Sequence, residues 1–221
     1  MSKLKKSDLK NDFRDVFIEK HAFKELVASA IEVYNKETNG LLVGWNTFKK
    51  VKRENKKVFS VKNVYPLQFE KRKPSEVVHG NVEAFKRIIK ANVSLSEKIG
   101  GGFHSHPAPY EGVRLSKDDI ESIKEDMQEI IKTGNKKIIN GWLEILLSIK
   151  KKEYKKAVGR EWYICDYVKK LRCYVRTEKN IGWDILISAY WVYPKQKVKN
   201  GNLQNVKFGV KEVGVYIDWV L

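Results

Sequence analysis

Apolar and polar positions along this chain follow two periods, one helical and one extended. Apolar residues recur every three or four positions in residues 23–34, 82–89 and 116–134, which predicts three helices. Runs rich in β-branched and aromatic residues predict strands at residues 15–19, 41–45, 58–64, 142–149, 161–167 and 171–176. This order of elements predicts an α+β sandwich with a mixed sheet and does not fit a doubly wound parallel fold.

The last part of the chain predicts further strands. Residues 185–193 and 206–221 are rich in β-branched and aromatic residues, and the polar stretch 194–202 between them favours a long hairpin. We therefore divide the chain into a domain at residues 12–178 and a β-rich extension at residues 179–221 that can pack on the same sheet. The aromatic run at residues 190–193 indicates sheet core or, if it is exposed, a homodimer face or a face that docks a modifier protein.

Two histidines stand two positions apart in a stretch that predicts an extended strand. Because alternate side chains of a strand point to the same face, His104 and His106 would lie on one face and Ser105 on the other. Pro107 has no backbone N–H and a fixed φ, so the strand should end directly after the second histidine. Two imidazole nitrogens can then meet one metal ion at a strand end.

A carboxylate follows these histidines at the beginning of the third predicted helix. Asp119 lies in the first turn, and the connection before it can bring that turn back beside the histidines. Two neutral imidazoles and one carboxylate are a common ligand set for catalytic zinc, with a fourth position left for water. A separate base is still useful to move a proton to the leaving group. Glu37, between the first helix and an apolar strand, is the candidate.

Simpler interpretations account for single parts of this pattern. Ser116-x-x-Asp119 also suits a helix N-terminus, since the serine oxygen accepts a first-turn N–H and a first-turn acid favours the helix dipole. A His-x-His pair on a strand is often only a polar feature, and Glu37 alone could be a solvated residue at a helix end. None of these interpretations explains why all the parts occur together.

Three segments resemble, in order and local context, the JAMM (MPN-plus) metalloproteases. They are the segment from Glu37 to Gly44, the run His104-Ser105-His106-Pro107 and the later Ser116-x-x-Asp119. The resemblance covers roughly residues 17–149 and extends to about residue 175. It implies an MPN/JAMM-like, cytidine-deaminase-like α/β sandwich, in which helices flank a mixed central sheet.

The same resemblance implies an activity and a role for each matching residue. The activity is that of a zinc (Zn2+) isopeptidase, deubiquitinase-like, that removes ubiquitin or ubiquitin-like β-grasp modifiers from lysine or peptide amines. His104, His106 and Asp119 would be zinc ligands, Glu37 the general base, and Ser116 would help to stabilise the oxyanion. Three glycines at residues 100–102 permit close backbone approach, so the modifier tail would pair with the strand edge at residues 100–103.

One feature departs from the family pattern. Asp119 follows His106 by 13 positions, which is about two more than in the family, and a loop absorbs such an insertion at little cost. The longer connection at residues 108–115 can reshape the substrate groove. It also leaves open an alternative, a non-catalytic MPN-like scaffold that binds a protein partner, although that branch usually lacks metal ligands.

Composition changes this picture only in part. The formal net charge of +17 favours anionic partners, nucleic acid among them. Lysine, however, greatly outnumbers arginine, the residue with which nucleic-acid-binding proteins mainly contact phosphates and base edges, so this signal is weak. The densest basic runs, residues 49–57 and 150–156, indicate solvated hairpin loops.

The two cysteines, Cys165 and Cys173, are expected to be reduced core or strand residues, with a disulfide between adjacent strands as the alternative. The N-terminal residues lack the apolar core of a signal peptide, and no uncharged stretch is long enough to span a membrane. These features predict a soluble cytoplasmic protein without a membrane partner.

Overall fold

The computed structural model describes residues 13–67, 72–73, 76–77, 82–94, 98–107, 114–134, 136–155, 159, 161–198 and 201–217. Within them the helices are α1 (Lys20–Glu32), α2 (Val82–Ser94) and α3 (Lys117–Lys132), and a short 3₁₀ helix spans Lys136–Asn140. The strands are β1 (Asp15–Ile18), β2 (Asn39–Val51), β3 (Glu54–Pro66), β4 (Arg72–Lys73), β5 (Glu76–Val77), β6 (Ile99–Pro107), β7 (Trp142–Glu153), β8 (Trp162–Tyr167), β9 (Lys170–Arg176), β10 (Ile181–Pro194), β11 (Phe208–Val213) and β12 (Val215–Ile217).

One mixed sheet of ten strands dominates the described residues. Its order is β12-β1-β3-β2-β6-β7-β10-β9-β8, and β11 also pairs with β10. Only Gly214 separates β11 from β12, yet β11 runs antiparallel to β10 while β12 runs parallel to β1. The indole N–H of Trp191 in β10 also donates to the carbonyl of Arg14, beside β1, at 2.8 Å. The sheet therefore curls until β10 and β1 approach each other.

The expected α/β sandwich of the MPN type is wrong. Strand accounts for 51% and helix for 25% of the described residues, and the sheet is curled like part of a barrel. This is a mostly-β protein with three helices in the described part of the chain. The strands are longer than their apolar cores suggested: β2 and β3 each span 13 residues.

The basic run at residues 49–57 shows why the strand lengths were underestimated. Its lysines lie in the paired ends of β2 and β3, and only Lys52 and Arg53 form the turn, with φ of 48° and 73°. Two consecutive residues with positive φ are typical of the tight hairpin turn that matches strand twist. Most of this charged run therefore extends two paired strands, where a loop was predicted.

Two buried clusters hold the helices on the sheet. The apolar face of α1 packs into the first, which includes inward residues of β1, β3, β7 and β10. The second joins α2 and α3 to β2 and β6, and its α3 residues recur at the helical period: Ile123, Met127, Ile130 and Ile131. This packing fixes the N-terminus of α3 relative to the end of β6.

The C-terminal strands belong to the same sheet, with β10 in its interior and β12 at one end of its order. β10 pairs with β7 on one side and with β9 and β11 on the other. The predicted hairpin is confirmed for the described residues by the antiparallel pairing of β10 with β11, while residues 218–221 lie outside them. The division of the chain near residue 178 and the homodimer face stay predictions.

The two cysteines do not form a disulfide. Cys165 and Cys173 are both free; they lie on adjacent strands opposite Arg172 and Ile164, respectively, so their side chains leave the sheet on opposite faces. The alternative of a disulfide is therefore wrong. Among the described helices, none combines the length and the apolar character needed to cross a membrane.

Candidate metal centre

The two histidines lie side by side at the end of β6. Their Nε2 atoms are 3.1 Å apart, because both side chains leave the strand on the same face. The strand ends at Pro107, as its ring predicts. Both rings are largely enclosed, with 11% of the His104 side chain and 13% of the His106 side chain exposed.

Asp119 brings a carboxylate to the same point from the first turn of α3. Its Oδ1 lies 3.6 Å from Nε2 of His104, and its Oδ2 lies 3.9 Å from Nε2 of His106. One ligand atom from each of the three residues lies within 4.8 Å of the others. Tetrahedral zinc with bonds of about 2 Å separates its ligand atoms by about 3.3 Å. His104, His106 and Asp119 therefore form a group that could hold a metal ion.

The sequence Ser116-x-x-Asp119 serves the helix as well as the cluster. Ser116 is the N-cap of α3: the Asp119 N–H donates to its Oγ at 3.0 Å, and its own N–H donates to Asp119 Oδ2 at 2.6 Å. This reciprocal capping box fixes the Asp119 carboxylate beside the histidines. The extra residues of the preceding connection lie mostly at 108–113, outside the described residues.

Glu37 lies close to the three ligands. Its Oε1 is 3.9 Å from Nε2 of His106, and 16% of its side chain is exposed. Ser105, between the histidines, holds the neighbouring backbone: its Oγ accepts from the Thr38 N–H at 3.0 Å and its N–H donates to the Thr38 carbonyl at 2.8 Å. Because Thr38 follows Glu37 directly, the face of β6 opposite the histidines positions the candidate base.

The charges of the cluster shift the pKa values of its members. Burial raises the pKa of Glu37 above its ordinary value, although the nearby His104 and His106 act in the opposite direction. Burial also opposes ionisation of Asp119, but hydrogen bonding to His106 and the charge of His104 hold its pKa well below the usual range. The Asp119 carboxylate therefore stays ionised, whereas Glu37 binds a proton more readily than an ordinary glutamate does.

Glu144, in β7, is a member of the site that the sequence patterns did not identify. Only 4% of its side chain is exposed, and its Oε1 lies 2.6 Å from Nδ1 of His104. Its Oε2 accepts from the Trp142 indole N–H at 2.5 Å. Burial lowers the pKa of His104, but the hydrogen bond and charge of Glu144 outweigh it, so that pKa is raised. A single acid within the apolar stretch 142–149 was the available signal.

The three glycines of β6 serve strand packing, and the predicted substrate edge at residues 100–103 is wrong. β6 is an interior strand, with Gly101 and Gly102 paired to β2 on one side and to β7 on the other. A Cβ on Gly101 would lie 1.7 Å from the Leu143 carbonyl oxygen. The backbone approach that glycine permits therefore belongs to β7 rather than to a substrate.

A cavity of about 150 Å³ opens beside the ligands. Five carboxylates line it: Glu37, Asp118, Asp119, Asp126 and Glu144. No lysine or arginine is among the described residues that line it, although the chain carries a net charge of +17. Burial and the charge of Glu144 raise the pKa of Asp126 well above its usual range. The surroundings of the ligands therefore favour a cation.

Comparisons with known proteins add little. No family model matches the chain, and no curated protein matches it. Among solved structures, the chain is similar to a Desulfitobacterium hafniense protein determined in solution, with a TM-score of 0.46 and 17% sequence identity. The match covers 93% of this chain and 94% of the other.

Proposed function

We propose that this protein is a zinc-dependent hydrolase that cleaves the bond between the C-terminus of a ubiquitin-like β-grasp modifier and a lysine or peptide amine. The observation that carries the proposal is the convergence of His104, His106 and Asp119 with a carboxylate beside them. Glu37 Oε1 lies 3.9 Å from Nε2 of His106. A ligand set of two imidazoles and one carboxylate is common for zinc that performs chemistry, because one coordination position stays open.

A zinc ion held by His104, His106 and Asp119 would supply Lewis-acid chemistry, which would polarise the scissile carbonyl and make water more acidic. Glu37 removes a proton from the attacking water and delivers it to the amine that leaves. Its raised pKa suits both steps, because a general acid–base group works best when its pKa lies near the working pH.

Ser116 stabilises the negative charge that develops on the carbonyl oxygen. Its Oγ already accepts the Asp119 N–H, but a hydroxyl also has one proton to donate. Ser116 is exposed at the N-terminus of α3, where the helix dipole also favours negative charge. The same side chain can therefore cap the helix and donate to an oxyanion.

The substrate class follows from the resemblance in the motifs, with a minor contribution from charge. A net charge of +17 steers acidic partners toward the protein, which affects association rate more than affinity. The modifier tail does not pair with β6 at residues 101–103, since that strand already has two partners.

Cleavage assays with matched variants test this function. The substrates are peptides with the C-terminal tail sequences of β-grasp modifiers, joined to a reporter lysine by an isopeptide bond or to a reporter peptide by a linear bond. Zinc-loaded wild type should cleave at least one of them. Glu37→Gln should retain zinc and lose cleavage by a factor of about 10² or more, and His106→Ala should lose both zinc and cleavage.

Two outcomes would contradict the proposal. Zinc-replete Glu37→Gln protein that cleaves at the wild-type rate would exclude Glu37 as the base. Zinc-loaded wild type that cleaves neither type of substrate, yet binds a modifier, would favour the non-catalytic scaffold.

A further inference from the structure

We propose that Glu144 is a positioning residue that selects the metal-binding tautomer of His104, and that Trp142 orients Glu144 for this role. The inference rests on the proposed metal centre but concerns hydrogen bonds that exist without a metal. Neither residue is proposed as a metal ligand. Their effect reaches the site through His104.

The two carboxylate oxygens of Glu144 have separate partners. Oε1 lies 2.6 Å from Nδ1 of His104, and Oε2 accepts from the Trp142 indole N–H at 2.5 Å. An ionised carboxylate can only accept hydrogen bonds, so the hydrogen at this contact belongs to Nδ1. A neutral His104 then has its lone pair on Nε2, the atom that faces His106 and Asp119.

The cost of burying Glu144 argues for a specific role. A carboxylate with 4% of its side chain exposed loses most of its hydration, which is unfavourable unless charged or polar partners replace it. An apolar residue at this position of β7 would avoid that cost. When a ligating imidazole donates its other ring N–H to a carboxylate, this hydrogen bond fixes the tautomer and ring orientation and raises the basicity of the ligand.

The substitution Glu144→Gln creates a conflict that reveals the mechanism. If the carbonyl of the new side-chain amide accepts from His104, its NH₂ group faces the indole N–H, and two donors oppose each other. If the carbonyl accepts from the indole, the NH₂ group faces Nδ1, which must then be the acceptor. His104 would move its proton to Nε2 and lose the lone pair that binds metal.

Removal of the indole N–H should relieve this conflict. In Glu144→Gln combined with Trp142→Phe, the amide can turn its carbonyl toward His104 without an opposing donor. Zinc affinity should therefore be higher in the double variant than in Glu144→Gln alone. A purely structural role predicts the reverse, because Phe in place of a buried tryptophan removes further contacts.

The first measurement is the tautomer of His104 in metal-free protein, from ¹⁵N chemical shifts of the imidazole rings at a pH above the raised pKa of His104, where the ring carries a single proton. Wild type should carry the proton on Nδ1, and Glu144→Gln should shift it to Nε2. Wild type protonated at Nε2 would overturn the inference, whether or not the protein is a hydrolase. Because wild type alone can give that result, the test does not depend on the folding of any variant.

The second measurement is zinc affinity by competition with a chelating dye. Glu144→Gln should bind zinc about 10- to 100-fold more weakly than wild type, and the double variant should recover part of the loss. Trp142→Phe alone removes the donor that orients Glu144 and should weaken zinc binding, but less than Glu144→Gln does. Wild-type affinity in Glu144→Gln, or weaker binding in the double variant than in Glu144→Gln, would overturn the inference. A wild type that binds zinc normally and cleaves nothing would affect only the proposed function.

Discussion

Gly102 lies directly opposite Glu144 in the parallel pairing of β6 with β7. A Cβ on Gly102 would lie 2.7 Å from the Trp142 ring and 3.2 Å from Glu144 Oε2. The missing side chain leaves space for both residues of β7 to lie over β6. From there Glu144 reaches His104, two positions further along. Gly102 therefore helps to shape the candidate metal site, because it leaves room for Trp142 and for Glu144, which contacts His104.

The tight contact between β6 and β7 predicts a strong difference between two glycines. Gly101→Ala would press a methyl group against the Leu143 carbonyl, at 1.7 Å in the unrelaxed backbone. We expect the free energy of unfolding to fall by about 1 to 3 kcal/mol, which is the typical cost of overpacking. Gly159→Ala is the control, because no atom of the described residues lies within 4 Å of its added Cβ.

Chemical denaturation of both variants measures the difference. Gly159→Ala should change the free energy of unfolding by less than about 0.5 kcal/mol. Equal, small effects at the two positions would contradict the close packing of β6 on β7.

The two roles of Ser116 can be separated by substitution. Ser116→Ala removes the cap and should destabilise the protein by about 1 kcal/mol, whereas Ser116→Gly should cost only a few tenths, roughly 0.3 kcal/mol, because glycine is a fair N-cap. Both lack the hydroxyl. If that hydroxyl donates to the oxyanion, both variants should lose cleavage rate by a factor of about 10². Thermal unfolding and initial cleavage rates measure the two effects.

The result for Ser116→Gly is decisive. A stable Ser116→Gly protein with wild-type turnover would restrict Ser116 to helix capping.

Acid should weaken the ion pairs at the beginning of α1. Burial raises the pKa of Glu19, but hydrogen bonds from Lys49, Lys62 and Ser60 more than offset this and lower it from 4.5 to about 2. A lowered pKa in the folded state means that the stabilisation is fully present above pH 4.5 and lost as the pH falls toward 2. Glu19→Gln should destabilise the protein by about 1 kcal/mol at pH 7, since these pairs are partly exposed.

Urea denaturation from pH 7 to pH 2 tests this linkage. The difference between wild type and Glu19→Gln should shrink below pH 4.5 and vanish near pH 2. Glu32→Gln, at the exposed end of α1, provides a control that should behave like wild type throughout. A difference that stays constant across this range would exclude the ionised Glu19 as its source.

The local features of the site followed from sequence because each has a short-range cause. Alternation in a strand brings His104 and His106 together, Pro107 ends β6, and the capping box sets Asp119 in the first turn of α3. Each depends on neighbours within a few residues. The approach of Glu37 depends on a long-range pairing, which no local pattern of residues indicates.

The predicted fold class was wrong because strand pairing joins residues that are far apart in the sequence. Residues 181–194 form one long strand with three partners, β7, β9 and β11, and nothing in their periodicity indicates that number. The same limit explains the misplaced substrate edge, since an interior strand and an edge strand can have the same alternation. Glu144 was missed because its role depends on the register of β7 with β6.

The central claim is that His104, His106 and Asp119 bind one zinc ion, and metal stoichiometry tests it most directly. Metal-free protein is dialysed against zinc and then against zinc-free buffer, and bound metal is measured by elemental analysis. His21→Ala is the matched control, because that histidine side chain is 76% exposed and pairs with Glu25. Wild type and His21→Ala should retain about one equivalent, and His104→Ala, His106→Ala and Asp119→Ala almost none. Wild type that retains no zinc, or His106→Ala that retains as much as wild type, would contradict the account.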